Sequence, residues 1–298
     1  MIYLTSDRLR VEIALPGEDA NTTCRFDRAG FISEVILDGS IRFAASEPRN
    51  MWHPCTGGRG FCNEFKADLT EDCPVGEEFP KLGVGLLPRK EGPHLFCSLY
   101  ETVREFPVTF QTDGRQAEFI TEPIPCRGYA MRTHKRIAVQ GNEMVMEITA
   151  ENVGEKVIQT EEYCHNFISI AGMCLGPDYR IEMPQLPDLG MEQCIDVNGK
   201  PCNWRANGRG FALQEYRPDI SHITVDLSEI REDYLDWKLI HSGVRASVEC
   251  REEYKPAGMV IWGTDHMISP EVFYGLHLEP GEKKQWRRVW HFDCWDMK

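Results

Sequence analysis

The sequence places a histidine where it could move a proton on a bound ligand. His165 lies in an apolar run, and Tyr163 and Phe167 flank it two positions away on either side. Because successive side chains of a strand point to opposite faces, these three side chains should share one face. An imidazole with an ordinary pKa of about 6.5 can give or take a proton at neutral pH. The alternative is a core histidine satisfied by its neighbours.

A second candidate is a carboxylate among aromatic residues. Glu271 follows Pro270 and precedes an apolar strand that contains Phe273. Partial burial against Phe273 and Trp262 would raise the pKa of Glu271, so that it could act as a base near neutrality. Trp262 also offers a flat face for the apolar side of a sugar ring. The alternatives are a solvated turn carboxylate and a tryptophan that only packs in the core.

The third candidate segment is rich in glycine and hydrogen-bond donors. Residues 57–65 place Arg59, Asn63 and Glu64 within six positions, beside three glycines. Arginine and asparagine supply donors that suit hydroxyl recognition. No Gly-Lys-Ser or Gly-Lys-Thr follows, so the segment does not match a phosphate loop. The alternative is a surface turn with an incidental ion pair.

The elements expected to position these residues are strands. Period-two alternation and β-branched runs recur along the chain, separated by turn residues such as Asp38-Gly39 and Asn198-Gly199. Helical periodicity is confined to a turn or two near Ser228–Tyr234. Strands without crossover helices indicate antiparallel sheets. We therefore expect an all-β protein built from antiparallel sheets, for which a single large domain is admissible. The long irregular stretch 47–93 should be functional and pack over some part of the molecule. The predicted strands are Leu9–Leu15, Ile32–Leu37, Leu95–Tyr100, Val108–Thr112, Ala117–Thr121, Lys135–Val139, Met144–Thr149, Ile158–Ile170, His222–Leu227 and Val244–Cys250.

Composition and charge narrow the ligand class. The net charge of −14 disfavours binding to nucleic acid or to an anionic membrane, so a neutral small molecule is the easier ligand to accommodate. No stretch reaches the roughly 18 consecutive apolar residues of a membrane span, and the N-terminus lacks the features of a signal peptide. We expect a cytoplasmic protein, with the choice between monomer and homodimer left open.

The cysteines are the remaining candidates for special chemistry. Twelve are scattered over 298 residues without any Cys-x-x-Cys pair. The shortest spacings are Cys55 to Cys62 and Cys194 to Cys202, which do not match a zinc site. We expect free, mostly buried thiols, no metal and no cofactor.

Together, the three segments resemble those of the galactose-mutarotase-like superfamily, which includes the aldose 1-epimerases. The family's Gly-Arg-x-x-Asn element resembles residues 58–63, with one extra residue between arginine and asparagine. Its His-x-x-Phe-Asn strand resembles residues 165–169, with phenylalanine one place early. Its late tryptophan and glutamate, followed by Pro-Gly-Glu, resemble Trp262, Glu271 and residues 280–282. The resemblance follows chain order over nearly the whole sequence.

The resemblance implies one large antiparallel β sandwich over residues 1–298, with a concave face that binds a carbohydrate. It implies interconversion of the α and β anomers of a free aldose. It implies that Glu271 is the base and His165 the acid that protonates the ring oxygen. Arg59 and Asn63 would hold hydroxyls. His94 is the nearest counterpart, in order, of the family's first histidine, and His277 is a further candidate imidazole.

Several alternatives remain open at this point. Glu64, Glu161 and Glu162 are other candidates for the base. A non-catalytic sugar-binding domain could use the same sandwich, and a lyase or glycoside-processing enzyme could use Tyr163 or Tyr274 as its base. A phosphorylated substrate would require basic residues at the pocket, for which Lys81, Arg89 and Lys90 are available.

Overall fold

Antiparallel strands form almost all of the regular structure. The computed structural model describes residues 1–18, 24–47, 56–101, 103–186, 204–206, 210–213 and 221–295. One short 3₁₀ turn, Ile170–Gly172, is the helical element of these residues. The strands are β1 Ile2–Thr5, β2 Leu9–Ile13, β3 Ile32–Leu37, β4 Ile41–Arg42, β5 Phe61–Phe65, β6 Glu78–Lys81, β7 Gly85–Pro88, β8 Arg104–Glu105, β9 Val108–Thr112, β10 Gln116–Thr121, β11 Met131–Gln140, β12 Glu143–Asn152, β13 Ile158–Asn166, β14 Tyr179–Glu182, β15 Trp204–Ala206, β16 Gly210–Leu213, β17 Ser221–Val225, β18 Leu235–His241, β19 Ala246–Glu253, β20 Pro256–Gly263, β21 Ile268–Leu278 and β22 Lys283–Cys294.

Two large sheets and one small sheet contain these strands. The front sheet has the order β1-β2-β3-β5-β13-β21-β20-β17, with β4 paired to β3. The back sheet has the order β15-β16-β14-β18-β19-β22-β12-β11-β10-β9, and β6-β7-β8 form a third sheet. Neighbouring strands of both large sheets are antiparallel, such as β13 with β5 and β12 with β22. The predicted all-β antiparallel class is confirmed.

Aromatic side chains join the two large sheets. In the front sheet, Phe61 meets Trp290 of the back sheet edge to face, with ring centroids 5.8 Å apart. Phe65 meets Trp286 in the same way at 6.5 Å. Strand β12 alternates strictly between buried and half-buried residues, as expected where one face of a strand covers a core. The large sheets therefore form a sandwich, as predicted.

The structure corrects three local predictions. The stretch 47–93 was expected to be irregular but contains β5, β6 and β7, and Gly83, with a φ of 77°, permits the tight turn between β6 and β7. Residues 95–100, expected as a strand, form a turn in which the Leu95 N–H donates to Ser98. Residues 228–234 contain no helix, and the Ser228 N–H donates instead to Asp226.

Two further observations concern the described residues alone. Nine cysteines fall within them, and all are free thiols. Cys55, Cys194 and Cys202, which belong to the two shortest spacings, lie outside the described residues, as does the expected Asn198-Gly199 turn. None of the described helical segments is long and apolar enough to cross a membrane.

Candidate active site

The outward face of the front sheet brings the main candidates together. Strands β5, β13, β21 and β20 lie side by side in this sheet. On β13, alternation turns His165 outward and Asn166 inward, and His165 pairs in register with Cys62 of β5. Glu271 lies on β21 at the other side of β13. The predicted histidine and glutamate are therefore neighbours, although 106 positions of the sequence separate them.

His165 and Glu271 make a close, buried pair. Nε2 of His165 lies 3.1 Å from Oε1 of Glu271, and the two residues are only 3% and 6% exposed. Oε1 of Glu271 has no aligned hydrogen-bond partner among the described residues. On the other side of the imidazole, Nδ1 lies 2.8 Å from Oγ of Ser269. Oε1 of Glu271 thus lies close to the imidazole and can still form a hydrogen bond with another group.

Burial decides the charge of both residues. Desolvation, reinforced by the positive charge of Arg25, lowers the pKa of His165 well below its usual value, so the imidazole is neutral at pH 7. Desolvation raises the pKa of Glu271 to about 8, against the opposing effects of Arg25 and Ser269. Near neutrality Glu271 therefore keeps its carboxyl proton, and His165 is a neutral imidazole with a single N–H.

Aromatic rings surround the imidazole. Phe167 stacks on His165 with ring centroids 3.7 Å apart and an interplanar angle of 5°. Phe26 and Trp262 meet the imidazole edge to face, at 6.0 and 5.4 Å. Gly58 lies so close to the Phe167 ring that an added Cβ would come within 2.1 Å of it. A glycine is therefore required at position 58, which explains part of the glycine-rich segment without invoking a ligand.

A second buried cluster on the same face contains Glu64. Oε2 of Glu64 accepts hydrogen bonds from Nε of Arg25 at 2.6 Å and from the Tyr163 hydroxyl at 2.5 Å. Nζ of Lys81 lies 3.4 Å from Oε1 of Glu64 and donates to the Phe65 carbonyl oxygen at 2.7 Å. Burial alone would raise the pKa of Glu64, but the charges of Arg25 and Lys81 outweigh it, and the pKa is lowered. Glu64 is therefore a fixed anion rather than a base.

The other two candidate bases have different surroundings. Glu161 is partly exposed on the outward face and pairs with Lys66 at 2.7 Å. Glu162 is fully buried on the inward face, where Arg288 donates two hydrogen bonds to it. Neither lies beside the imidazole, and Glu271 alone of the four carboxylates has both His165 as a neighbour and no cation paired with it among the described residues.

Asn63 must be removed from the predicted site. Its side chain lies between the sheets, where its amide donates to Glu162 at 2.7 Å and its oxygen accepts from Lys135 at 2.8 Å. The physical reason is strand alternation: within β5, Glu64 faces outward and Asn63 therefore faces inward. Asn63 links buried charges across the sandwich.

The other three predicted contact residues have hydrogen-bond or ion-pair partners outside the His165 and Glu271 pair. Arg59 is exposed, and its Nε donates to the Ser33 carbonyl oxygen. His94 contacts the Tyr100 hydroxyl at 2.6 Å, and burial lowers its pKa. His277 is exposed beside Glu279. It lies six positions beyond Glu271, on the order of 20 Å along the strand.

Sequence reasoning did not assign Arg25 or Ser269 to the site. Ser269 lies two positions before Glu271 and so shares its face, which the alternation of β21 could have indicated. Arg25 lies in an irregular segment, where no periodicity indicates which side chain turns inward. Its CZ atom lies 4.8 Å from the Phe26 ring centroid and 4.6 Å from that of Phe96.

Comparison with known proteins finds similar folds among solved structures but no related sequence. No protein-family model and no curated protein matches this chain. Among solved structures, it is similar to a galactose mutarotase-like protein from Lactobacillus casei, with a TM-score of 0.60, 14% identity, and 98% and 100% of the two chains covered. It is also similar to a galactose mutarotase related enzyme from Lactobacillus acidophilus (0.58, 13%, 98% and 97%) and to the GalM/aldose epimerase homologue from C. elegans (0.53, 9%, 99% and 99%). The chain therefore has the fold of the galactose mutarotase-like proteins.

Proposed function

We propose that this protein is a carbohydrate-active isomerase, an aldose 1-epimerase that interconverts the anomers of a free sugar. The observation that carries the proposal is the 3.1 Å approach of His165 Nε2 to Glu271 Oε1 on the outward face of the front sheet. Solved structures of this fold named as mutarotase-like or epimerase-like proteins support the substrate class. No metal or cofactor takes part in the proposed reaction.

The reaction needs one acid and one base at a single carbon. One group removes the proton from the anomeric hydroxyl while another protonates the ring oxygen, and the bond from C1 to the ring oxygen breaks. Both oxygens are bonded to C1, so groups a few ångströms apart reach both. After rotation about the C1–C2 bond, each proton returns and the ring closes on the other face. Acid–base assistance of this kind contributes typically about 10²–10⁴-fold.

The electrostatics of the unliganded protein favours roles opposite to those that the resemblance implies. Because Glu271 is protonated near neutrality, this residue is the acid that protonates the ring oxygen, and neutral His165 is the base at the anomeric hydroxyl. In the closing step the two roles reverse. At the end of the reaction both residues have returned to their starting protonation states. The assignment from the resemblance and the assignment from the electrostatics therefore use the same two residues.

The surroundings of the pair suit the apolar face of a sugar ring. Trp262 is half-buried and lies edge to face with both His165 and the stacked Phe167 ring. Arg25 and Phe26 cover the same face. Because His165 and Glu271 are buried, a sugar requires one or more of these covering side chains to turn away.

Anomer exchange tests the proposal directly. Freshly dissolved single anomers of a panel of hexoses and pentoses are mixed with the protein, and optical rotation is followed against a buffer blank. We expect acceleration with at least one sugar, and its loss in His165→Gln. No acceleration across the panel would remove the catalytic proposal.

A sugar-binding domain without catalysis is the alternative outcome. It predicts that sugar perturbs the fluorescence of Trp262 or the NMR signals of the site in wild type and His165→Ala alike, while optical rotation never changes faster than in buffer. The lyase alternative has less support. Tyr163 donates to Glu64, and burial raises the pKa of Tyr163 well above its usual value, which disfavours it as a base.

A further inference from the structure

Ser269 contacts the imidazole at the nitrogen that faces away from Glu271. Its Oγ lies 2.8 Å from Nδ1 of His165 and accepts the Asn166 backbone N–H at 3.0 Å. The serine is fully buried, with 0% of its surface exposed. Since water cannot reach this side of the ring, the serine hydroxyl is the partner of Nδ1 within the described structure.

Two proton arrangements are compatible with these distances. A hydroxyl oxygen has two lone pairs and one proton, and the Asn166 N–H occupies one lone pair. In the first arrangement, Nδ1–H of His165 donates to the second lone pair, and Nε2 presents a lone pair to Glu271. In the second arrangement, the hydroxyl donates to Nδ1, and Nε2 carries the proton.

The neighbouring carboxyl favours the first arrangement. Glu271 carries a proton near neutrality, and its Oε1 has no other aligned partner in the described residues. A protonated carboxyl needs an acceptor, and the lone pair on Nε2 of His165 lies within 3.1 Å. In the second arrangement Nε2–H would face Oε1, so the carboxyl proton would have to lie on Oε2 and Nε2 could not accept it. The hydroxyl proton of Ser269 is then free to point towards Glu271, whose pKa the serine lowers.

We propose that Ser269 is a positioning residue that holds His165 in the Nδ1–H tautomer, so that Nε2 is the nitrogen that exchanges a proton with the substrate. When Nε2 takes a proton, the imidazole becomes a cation, and its Nδ1–H bond to Ser269 strengthens. The kinetic consequence rests on the proposed function, whereas the tautomer is a property of the unliganded protein.

Other ionisable groups lie near the ring without serving Nδ1. Arg25 lowers the pKa of His165 through its charge, and Glu64 is paired with that arginine. The Tyr163 ring centroid lies 6.1 Å from the imidazole on the same strand. Cys62 of β5 directs its thiol to the backbone oxygen of His165. These groups affect how readily the ring is protonated, but the tautomer depends on Ser269 and Glu271.

Nitrogen-15 NMR of histidine-labelled protein at neutral pH tests the tautomer without any assay of activity. His165→Gln assigns the signal. We expect the wild type to show the Nδ1–H tautomer, and Ser269→Ala to shift the tautomer ratio by about tenfold, as loss of one hydrogen bond predicts. Ser269→Thr keeps the hydroxyl and should retain the wild-type ratio. Ser247→Ala, at a buried serine of the back sheet, is the matched control.

The outcomes separate this inference from the proposed function. An Nε2–H tautomer in the wild type, or an unchanged ratio in Ser269→Ala, overturns the inference. If Ser269→Ala does not fold, Ser269→Cys, with its weaker hydrogen bond, should show the same shift. In anomer exchange we expect kcat to fall about 10–10²-fold in Ser269→Ala with little change in KM, and to recover in Ser269→Thr. A shifted tautomer without wild-type catalysis supports the inference while removing the proposed function.

Discussion

Glu271 and His165 approach to 3.1 Å on neighbouring antiparallel strands, yet near neutrality neither is predominantly charged. Desolvation is the largest influence on both residues, and it acts in opposite directions on their pKa values because one is neutral when protonated and the other when deprotonated. A protonated carboxyl beside a neutral imidazole, both buried, is an arrangement suited to acid–base catalysis.

Replacement of the carboxyl should abolish most catalysis while leaving the fold intact. Glu271→Gln keeps the shape but cannot exchange the proton, so we expect kcat for anomer exchange to fall about 10²–10⁴-fold. Glu161→Gln is the control and should retain wild-type rates. Glu161 lies on the outward face of β13, as His165 does, but pairs with exposed Lys66. Equal rates for both variants would show that Glu271 does not take part.

The same residue should make stability depend on pH. The pKa of Glu271 is raised from 4.5 to about 8 in the folded protein, so its favourable contribution is fully present below about pH 4.5. Between these values the unfolded chain loses the proton and the folded protein keeps it, so the contribution is lost progressively up to about pH 8. Glu271→Gln should therefore become more stable relative to the wild type as pH rises from 5 to 8, on the order of a few kcal/mol. Urea denaturation at several pH values measures this, and a constant difference would contradict it.

The Glu64 cluster should be structurally essential. Glu64→Gln leaves the buried charges of Arg25 and Lys81 without their shared carboxylate, and loss of one partner from a buried ion pair costs about 3–5 kcal/mol. Chemical denaturation compares this variant with Glu161→Gln, whose exposed pair should contribute less than about 1 kcal/mol. Similar losses in both variants would argue against the cluster as a stabilising unit.

Between the sheets, Arg288 should be equally sensitive. It is fully buried and donates to both Glu162 and Glu252, at 2.8 and 2.7 Å. Arg288→Met fills much of the space but leaves two buried carboxylates without their paired cation. We therefore expect a loss of about 3–5 kcal/mol in the free energy of unfolding. Arg251→Met, which removes an exposed pair with Asp236, is the control. A small loss at Arg288 would show that the carboxylates find other partners or protons.

The sequence by itself determined the strand class and the facing of single strands. Period two around His165 placed Tyr163 and Phe167 beside it, and the ring contacts bear this out. The pattern works because it is local: alternation needs nothing beyond the strand itself. The sequence pattern does not identify residues 61–65 as a strand, so it cannot show that Asn63 and Glu64 face opposite sides of the sheet.

Only the tertiary structure decided which carboxylate meets the histidine. The sequence does not distinguish among the four candidate glutamates, Glu64, Glu161, Glu162 and Glu271. Of these four, strand order and register bring only Glu271 to Nε2 of His165. Register follows from burial of whole strand faces against the opposite sheet, which no local pattern encodes. The pKa values follow from that burial in turn, because desolvation depends on everything packed around a group and not on its neighbours in the chain.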